Sequence, residues 1–158
     1  PRKDLFAIND AILEVMALTR AEAANNSVAV STELADGLPL LQGDRVELQQ
    51  VLLNLIINAI ESICSLSEGN RDLLICTRKA ERNAVLVEVR DSGPGFAPAT
   101  VARLFEAFYT TKPSGLGLGL SICRSIIEAH NGQLWASPNV PRGAIFHFTV
   151  PAHPGDVS

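Results

Sequence analysis

Asp44-Arg-Val-Glu-Leu-Gln-Gln-Val-Leu-Leu-Asn-Leu-Ile-Ile-Asn-Ala-Ile-Glu-Ser62 is the stretch whose pattern decides the fold. At about 100° per residue, Glu47, Gln50, Asn54, Asn58 and Glu61 fall within roughly 80° of arc. Val46, Leu48, Val51, Leu52, Leu53, Leu55, Ile56, Ile57, Ile60 and Ile63 fill most of the remainder. Such a helix is buried nearly all round and keeps one narrow polar face. Asp44 stands where an N-cap belongs, and Glu68-Gly69-Asn70 stops the helix after about Leu66. A buried amide without partners costs about 1–3 kcal/mol. Gln50, Asn54 and Asn58 stacked at i, i+4 and i+8 therefore point to a ligand face, the plain alternative being a partly wet seam. An asparagine carbonyl is a hard neutral oxygen, and Mg²⁺ shared with phosphates needs only one or two protein oxygens.

Working outward, Leu5 to about Ala24 has helical spacing, with Leu5, Ile8, Ile12, Val15, Met16 and Leu18 mostly on one stripe. Ser27 to Leu34 alternates and predicts a strand, followed by a loop at Asp36-Gly37 and Pro39. Leu73–Arg78 and Val85–Asp91 predict two strands about an Arg82-Asn83 turn. Ser92 to Gly117 is irregular apart from a short helix near Ala99–Leu104. Leu118–His130 predicts a helix with a left-handed stop at Asn131-Gly132. Gln133–Ser137 and Ala144–Val150 then pair around Pro138–Gly143. Hairpins set among helices predict an α/β sandwich, with a mixed, largely antiparallel sheet and helices packed on one face. One domain is expected over 7–151, after a linker over 1–6 and before a disordered tail over 152–158.

Composition narrows the function. The net charge of −4 disfavours a whole-surface nucleic-acid binder. The longest apolar run, Val51–Ile60, is interrupted by Asn54 and Asn58 and is too short to span a bilayer. No secretory signal is expected before Pro1. Cys64, Cys76 and Cys123 lie far apart, with no zinc spacing, and read as buried apolar thiols in a reducing compartment. His130, His147 and His153 are equally scattered, and none reads as a metal ligand.

Asp91-Ser92-Gly93-Pro94-Gly95 follows a strand directly. Two glycines two apart let backbone approach a flat ligand where a Cβ would collide. The Asp91 carboxylate can accept a hydrogen bond from an exocyclic amine, which adenine carries at N6 and guanine lacks there. A second cluster, Gly115-Leu116-Gly117-Leu118-Gly119, opens a helix. Free N–H groups and the positive end of the dipole make such a start a phosphate site. It matches neither the dinucleotide fingerprint nor a P-loop. Between the clusters, the aromatics of Leu104–Lys112 can anchor a mobile segment, and Lys112 can reach a terminal phosphate. A turn, a hinge and a surface lysine are the plain readings of these three features taken singly.

Taken in order, these motifs resemble the catalytic and ATP-binding domain of sensor histidine kinases. The wider superfamily includes gyrase, heat-shock chaperones of the same ATPase fold and mismatch-repair ATPases. Asp44–Ser62, centred on Asn54-Leu-Ile-Ile-Asn58-Ala, resembles the N box, and Asp91–Gly95 the G1 box. Phe105–Phe108 resembles the F box, and Gly115–Gly119 the G2 box. Phe-Tyr-Thr-Thr-Lys-Pro followed by Gly-Leu-Gly-Leu-Gly-Leu-Ser-Ile is similar to the nitrogen-regulation and oxygen-sensing subgroup. The resemblance spans residues 5–151 and implies a Bergerat-type sandwich with an ATP lid.

For the site, the resemblance implies Asn58 on Mg²⁺, Asp91 on adenine N6, and Gly93 and Gly95 shaping the base pocket. Gly115, Gly117 and Gly119 would cradle phosphates, Lys112 would meet the γ-phosphate, and Thr149 would touch adenine through water. In hydrolysing members a Glu one helical turn before the Mg²⁺-binding Asn activates water. Here Asn54 holds that position among the ATP-binding residues, and a neutral amide is no general base. The resemblance thus implies ATP held for transfer.

The acceptor histidine of such kinases lies on a dimeric helical hairpin N-terminal to this domain and is typically followed by Glu or Asp. His130, His147 and His153 do not fit that pattern. Residues 1–6 then read as the linker from that hairpin, and the chain is expected to bind ATP without phosphorylating itself. The implied partners are the parent's own dimerisation and phosphoacceptor domain and a response regulator, within a homodimeric, two-component kinase. No nucleic-acid partner is expected. A cytoplasmic place is implied, with the parent soluble or membrane-anchored. Alternatives are a hydrolysing ATPase of this fold, a non-catalytic nucleotide-binding scaffold, and a serine kinase acting on a regulatory partner. Asn54 argues against the first, the intact glycines and Asn58 against the second, and the Thr110-Thr111-Lys112 phrase with the entry linker against the third.

Overall fold

The computed structural model describes residues 3–106 and 119–154. Its elements are β1 (Asp4–Phe6), α1 (Ile8–Asn25), β2 (Ala29–Leu34), β3 (Leu41–Gly43), α2 (Arg45–Cys64), β4 (Asp72–Ala80), β5 (Ala84–Asp91), α3 (Pro98–Val101), α4 (Gly119–Ala129), β6 (Gln133–Pro138) and β7 (Ala144–Pro151). Five strands make one sheet in the order β2-β4-β5-β7-β6. Only β2 and β4 pair in parallel. This is the mixed, largely antiparallel sheet that the sequence predicts. The turn between β4 and β5 puts Arg82 and Asn83 at positive φ, which sharpens the reversal.

Strand alternation decides which face meets the helices. Val85, Val87 and Val89 on β5, and Phe146, Phe148 and Val150 on β7, are buried on that side. α2 packs there, between α1 and α4. Its Leu48, Val51, Leu52, Leu55, Ile56, Ala59, Ile60 and Ile63 are buried. Asp44 caps it, with Oδ1 accepting from the Glu47 N–H at 3.1 Å. His130 ties the end of α4 to that cap. Its Nδ1–H donates to the Ile126 carbonyl at 2.8 Å, and Nε2 accepts from the Asp44 N–H at 3.0 Å.

The opposite sheet face carries a polar cluster. Glu88, only 3% exposed, accepts from Arg90 at 2.7 Å and Arg78 at 3.2 Å. His147 Nδ1 lies 2.7 Å from Glu88, and its Nε2 lies 2.6 Å from Ser137 Oγ. Trp135 stacks on the imidazole at 4.9 Å. Burial pushes His147 below its ordinary range despite Glu88. The neutral ring with Nδ1–H therefore donates to Glu88 and accepts from the Ser137 hydroxyl. Burial alone would raise Glu88, but the Arg90 hydrogen bond and charge, with Arg78, hold it below the usual carboxylate range.

Several expectations are corrected. The helix expected from Leu5 begins at Ile8, because Asp4–Phe6 pairs with Leu41–Gly43, a strand that the sequence reading did not include. Leu18 and Val46, read as core, are 76% and 61% exposed. The short helix expected near 99–104 covers Pro98–Val101. Ala152 and His153, expected in a disordered tail, are instead tied to the fold: Ala152 N donates to Asn83 O and His153 N to Leu40 O, both at 2.8 Å. α2 has the length and composition of a membrane span, yet its apolar residues form the centre of this core.

Candidate functional site

α2 supplies the first wall. Asn54 and Asn58 are half-buried, one turn apart, while Gln50 and Glu61 are exposed. The polar stripe is thus an accessible seam in an otherwise apolar helix. Asn54 meets the expectation of a ligand face only in part. Its Nδ2 donates to Cys123 Sγ on α4 at 3.5 Å, which leaves the amide carbonyl for the open side. Cys123 is fully buried, and burial pushes its thiol up to about 11, so the sulfur is a neutral acceptor.

One turn beyond Asn58, Ser62 meets the end of β5. A Cβ on Gly93 would run into Ser62 Oγ and lie 3.0 Å from Asp91 Oδ1. The two motifs that the sequence separates by some thirty residues therefore share one corner. Asp91 is 2% exposed, and its Oδ1 accepts from Gly93 N at 2.8 Å and from Ala144 N at 3.3 Å. Both bonds fall on one oxygen, which leaves Oδ2 to receive a ligand donor. Burial raises the Asp91 pKa, and the two backbone donors only partly offset it. Gly95 sits at φ +75°, where a Cβ would stand 2.7 Å from the Gly143 carbonyl. A side chain at 93 or 95 would fill or distort this corner.

The segment after it is pinned at its near end. Phe96 and Phe105 both meet the Phe146 ring edge-on, at 6.4 and 6.2 Å. The Arg124 guanidinium lies 5.2 Å over Phe105. The described part of α4 runs from Gly119 to Ala129, and a Cβ at Gly119 would meet open space. Gly119 thus leaves room beside α4 without a close approach of its own. Lys112, Gly115, Gly117 and residues 107–111 of the expected lid lie outside the described residues.

Thr149 is misplaced for the role assigned to it. On β7 it alternates with Phe148 and Val150, so it shares the far face with His147 and pairs with Leu86 and Gln133. Asp91 shares the helix side with Val89. The β7 group that does reach Asp91 is the Ala144 backbone N–H. Sequence reasoning also missed Ser62, Asn139, Arg142 and Gly143. Asn139 Nδ2 donates to Asp91 O and Arg142 Nε to Ser92 O, both at 2.9 Å. For the last three the only signal was a turn between two strands, while Ser62 closes the polar helix stretch itself.

Among the described residues no cluster of three His, Cys, Asp or Glu could hold a metal by itself. The Asn54 and Asn58 amides lie on the helix that brings Ser62 to this corner, and amide oxygens are the neutral donors that suit a hard cation sharing its shell with phosphates.

The description "Histidine kinase-, DNA gyrase B-, and HSP90-like ATPase" matches residues 43–154. The sensor protein FixL of Bradyrhizobium diazoefficiens is 42% identical over 150 residues, which is 95% of this chain and 29% of FixL. The chain thus spans under a third of that relative's length. The nucleotide-free catalytic domain of histidine kinase ThkA superposes with a TM-score of 0.84 at 33% identity, covering 96% of both chains. ThkA has also been solved in complex with response regulator TrrA, with a TM-score of 0.80 at 31% identity, covering 98% of this chain and 43% of that one. Full-length ShkA in complex with AMPPNP gives 0.83 at 30% identity over 94% of this chain and 31% of ShkA.

Proposed function

The chain belongs to the histidine kinase-, DNA gyrase B- and HSP90-like ATPases as a histidine kinase catalytic domain, and from that premise we propose how its residues hold ATP and what it does in the parent protein. The family is ATP-binding. Asp91 Oδ2 accepts the adenine N6 amine, while Gly93 and Gly95 admit the base edge. Asn58, with Asn54 beside it, faces the phosphates, and Gly119 opens α4 toward them together with Gly115, Gly117 and Lys112. The observation that carries the reading is the buried Asp91, whose Oδ1 is held by two backbone donors beside glycines where a Cβ would crowd Ser62 or the Gly143 carbonyl.

Mg²⁺ fits the amide oxygens of Asn58 and, next to it, Asn54, completing its shell from the nucleotide. When bound, it would neutralise phosphate charge. Asn54 cannot take a proton from water, so the site holds ATP for transfer rather than hydrolysis. The recipient is a histidine on a dimerisation and phosphoacceptor domain of the parent, a homodimer. From that histidine the phosphoryl group passes to a response regulator, the class of partner seen with ThkA. In this reading the domain faces the cytoplasm.

The test is a calorimetric titration of ATP with and without Mg²⁺ on wild type, Asn58→Ala and Asp91→Ala. Asp91→Ala should weaken ATP by about 1–3 kcal/mol. Asn58→Ala should chiefly remove the Mg²⁺ dependence. Unchanged binding in both variants would sink the site assignment.

A further inference from the structure

We infer that Asn139 and Arg142, on the turn between β6 and β7, are positioning residues that set the preference for adenine over guanine by holding the backbone beneath Asp91. The inference rests on the assignment of Asp91 to adenine. Three independent anchors converge on that backbone. Asn139 Nδ2 donates to the Asp91 carbonyl at 2.9 Å, while its Oδ1 accepts from Val140 N at 2.9 Å. Both ends of the amide are used, so a flip would break two bonds at once. Arg142 Nε donates to the Ser92 carbonyl at 2.9 Å, and Nη2 reaches the Asn70 carbonyl at 3.4 Å. The next two residues complete the clamp. Gly143 brings its backbone so close that a Cβ would overlap the Asp91 carbonyl, and Ala144 N reaches Oδ1.

One turn thus grips Asp91 by its main chain and by its carboxylate. Its reach comes from tertiary placement, because Asn139 stands 48 positions from Asp91 in the chain. The consequence is specific to the base. A carboxylate that accepts from the N6 amine discriminates only if it is held in line with that amine, since hydrogen bonds weaken steeply with misalignment. Guanine presents a carbonyl there and gains nothing from the alignment. The phosphates are assigned to α2 and α4, whereas Asn139 and Arg142 bond Asp91, Val140, Ser92 and Asn70, so the phosphate share of the affinity is common to ATP and GTP. Loosening the turn should therefore erode the ATP-to-GTP preference and leave GTP affinity in place.

The experiment titrates this chain with ATP and with GTP in Mg²⁺, as wild type, Asn139→Ala, Arg142→Ala and Arg142→Lys. The expected result is a loss of about five- to tenfold in ATP affinity in each variant, with GTP unchanged. Arg142→Lys keeps the charge but not the Nε–H donor, so it should behave like Arg142→Ala; it also carries the test if the alanine variant does not fold. An unaltered ATP-to-GTP ratio in folded variants, whether both nucleotides weaken together or neither does, overturns the inference. A wild type that does not prefer ATP overturns the adenine assignment itself and this inference with it.

Discussion

The Asp91 carboxylate and the Ala144 main-chain N–H meet at 3.3 Å although they stand 53 positions apart in the chain. The contact joins the end of β5 to the start of β7 and buries a charged group at the corner proposed for adenine. Burial of Asp91 makes that corner costly in the absence of ligand and raises its pKa, and the Ala144 and Gly93 N–H donors offset only part of that cost.

Asp91→Asn should therefore separate stability from binding. With a raised folded pKa, the native state holds this proton more tightly than the unfolded chain. Stability thus declines as pH rises from the ordinary value toward the folded one, and the penalty is complete above it. Asparagine still accepts from Gly93 and Ala144 but turns an N–H₂ toward the adenine amine. The apo variant should be at least as stable as wild type at pH 7, yet bind ATP about 10–100-fold more weakly. Thermal unfolding and calorimetry check both arms; a variant that loses stability and keeps ATP would contradict the placement.

Acid should destabilise the domain from near pH 6.5 downward. His147 titrates below its ordinary 6.5, so under acid the unfolded chain takes up a proton that the folded chain refuses. Glu88 is held below its ordinary 4.5, and its contribution is lost as pH falls through the lower folded value. Both signs agree. Urea unfolding between pH 7.5 and 5.5 should show the decline in wild type and a flatter profile in His147→Gln. Identical slopes would remove His147 from the account.

Alkylation should distinguish the cysteines. Cys64 is exposed, whereas Cys123 is buried with its thiol pushed up to about 11. The thiolate is the nucleophile, so iodoacetamide at pH 8 should label Cys64 in the folded chain and Cys123 only after unfolding. Mass spectrometry that finds Cys123 labelled first would contradict its packing beneath Asn54.

Gly143→Ala should damage both fold and site. The residue sits at φ +112°, and its Cβ would overlap the Asp91 carbonyl. Strain and displacement together should cost at least about 2 kcal/mol, read from urea unfolding. ATP affinity should fall in parallel. A variant of wild-type stability would mean that the turn does not press on Asp91.

What the sequence determined by itself was the core and the chemistry types. The near-continuous apolar surface of α2, interrupted every fourth residue by an amide, specified a central helix with one accessible seam, because helical periodicity is local and strong. Alternation at Val85–Val89 and Phe146–Val150 specified strands for the same reason, and Asp91 with its glycines marked a place for close backbone approach. Tertiary structure alone decided the rest. β1 and β3 are three residues each, too short to alternate visibly. Thr149 looked available until register put it across the sheet from Asp91. Asn139, Arg142 and Ala144 act through main-chain bonds to residues some fifty positions away, and no local pattern encodes such a bond. Asn54 was read as facing a ligand, and only the packing of α4 on α2 showed its nitrogen turned to Cys123.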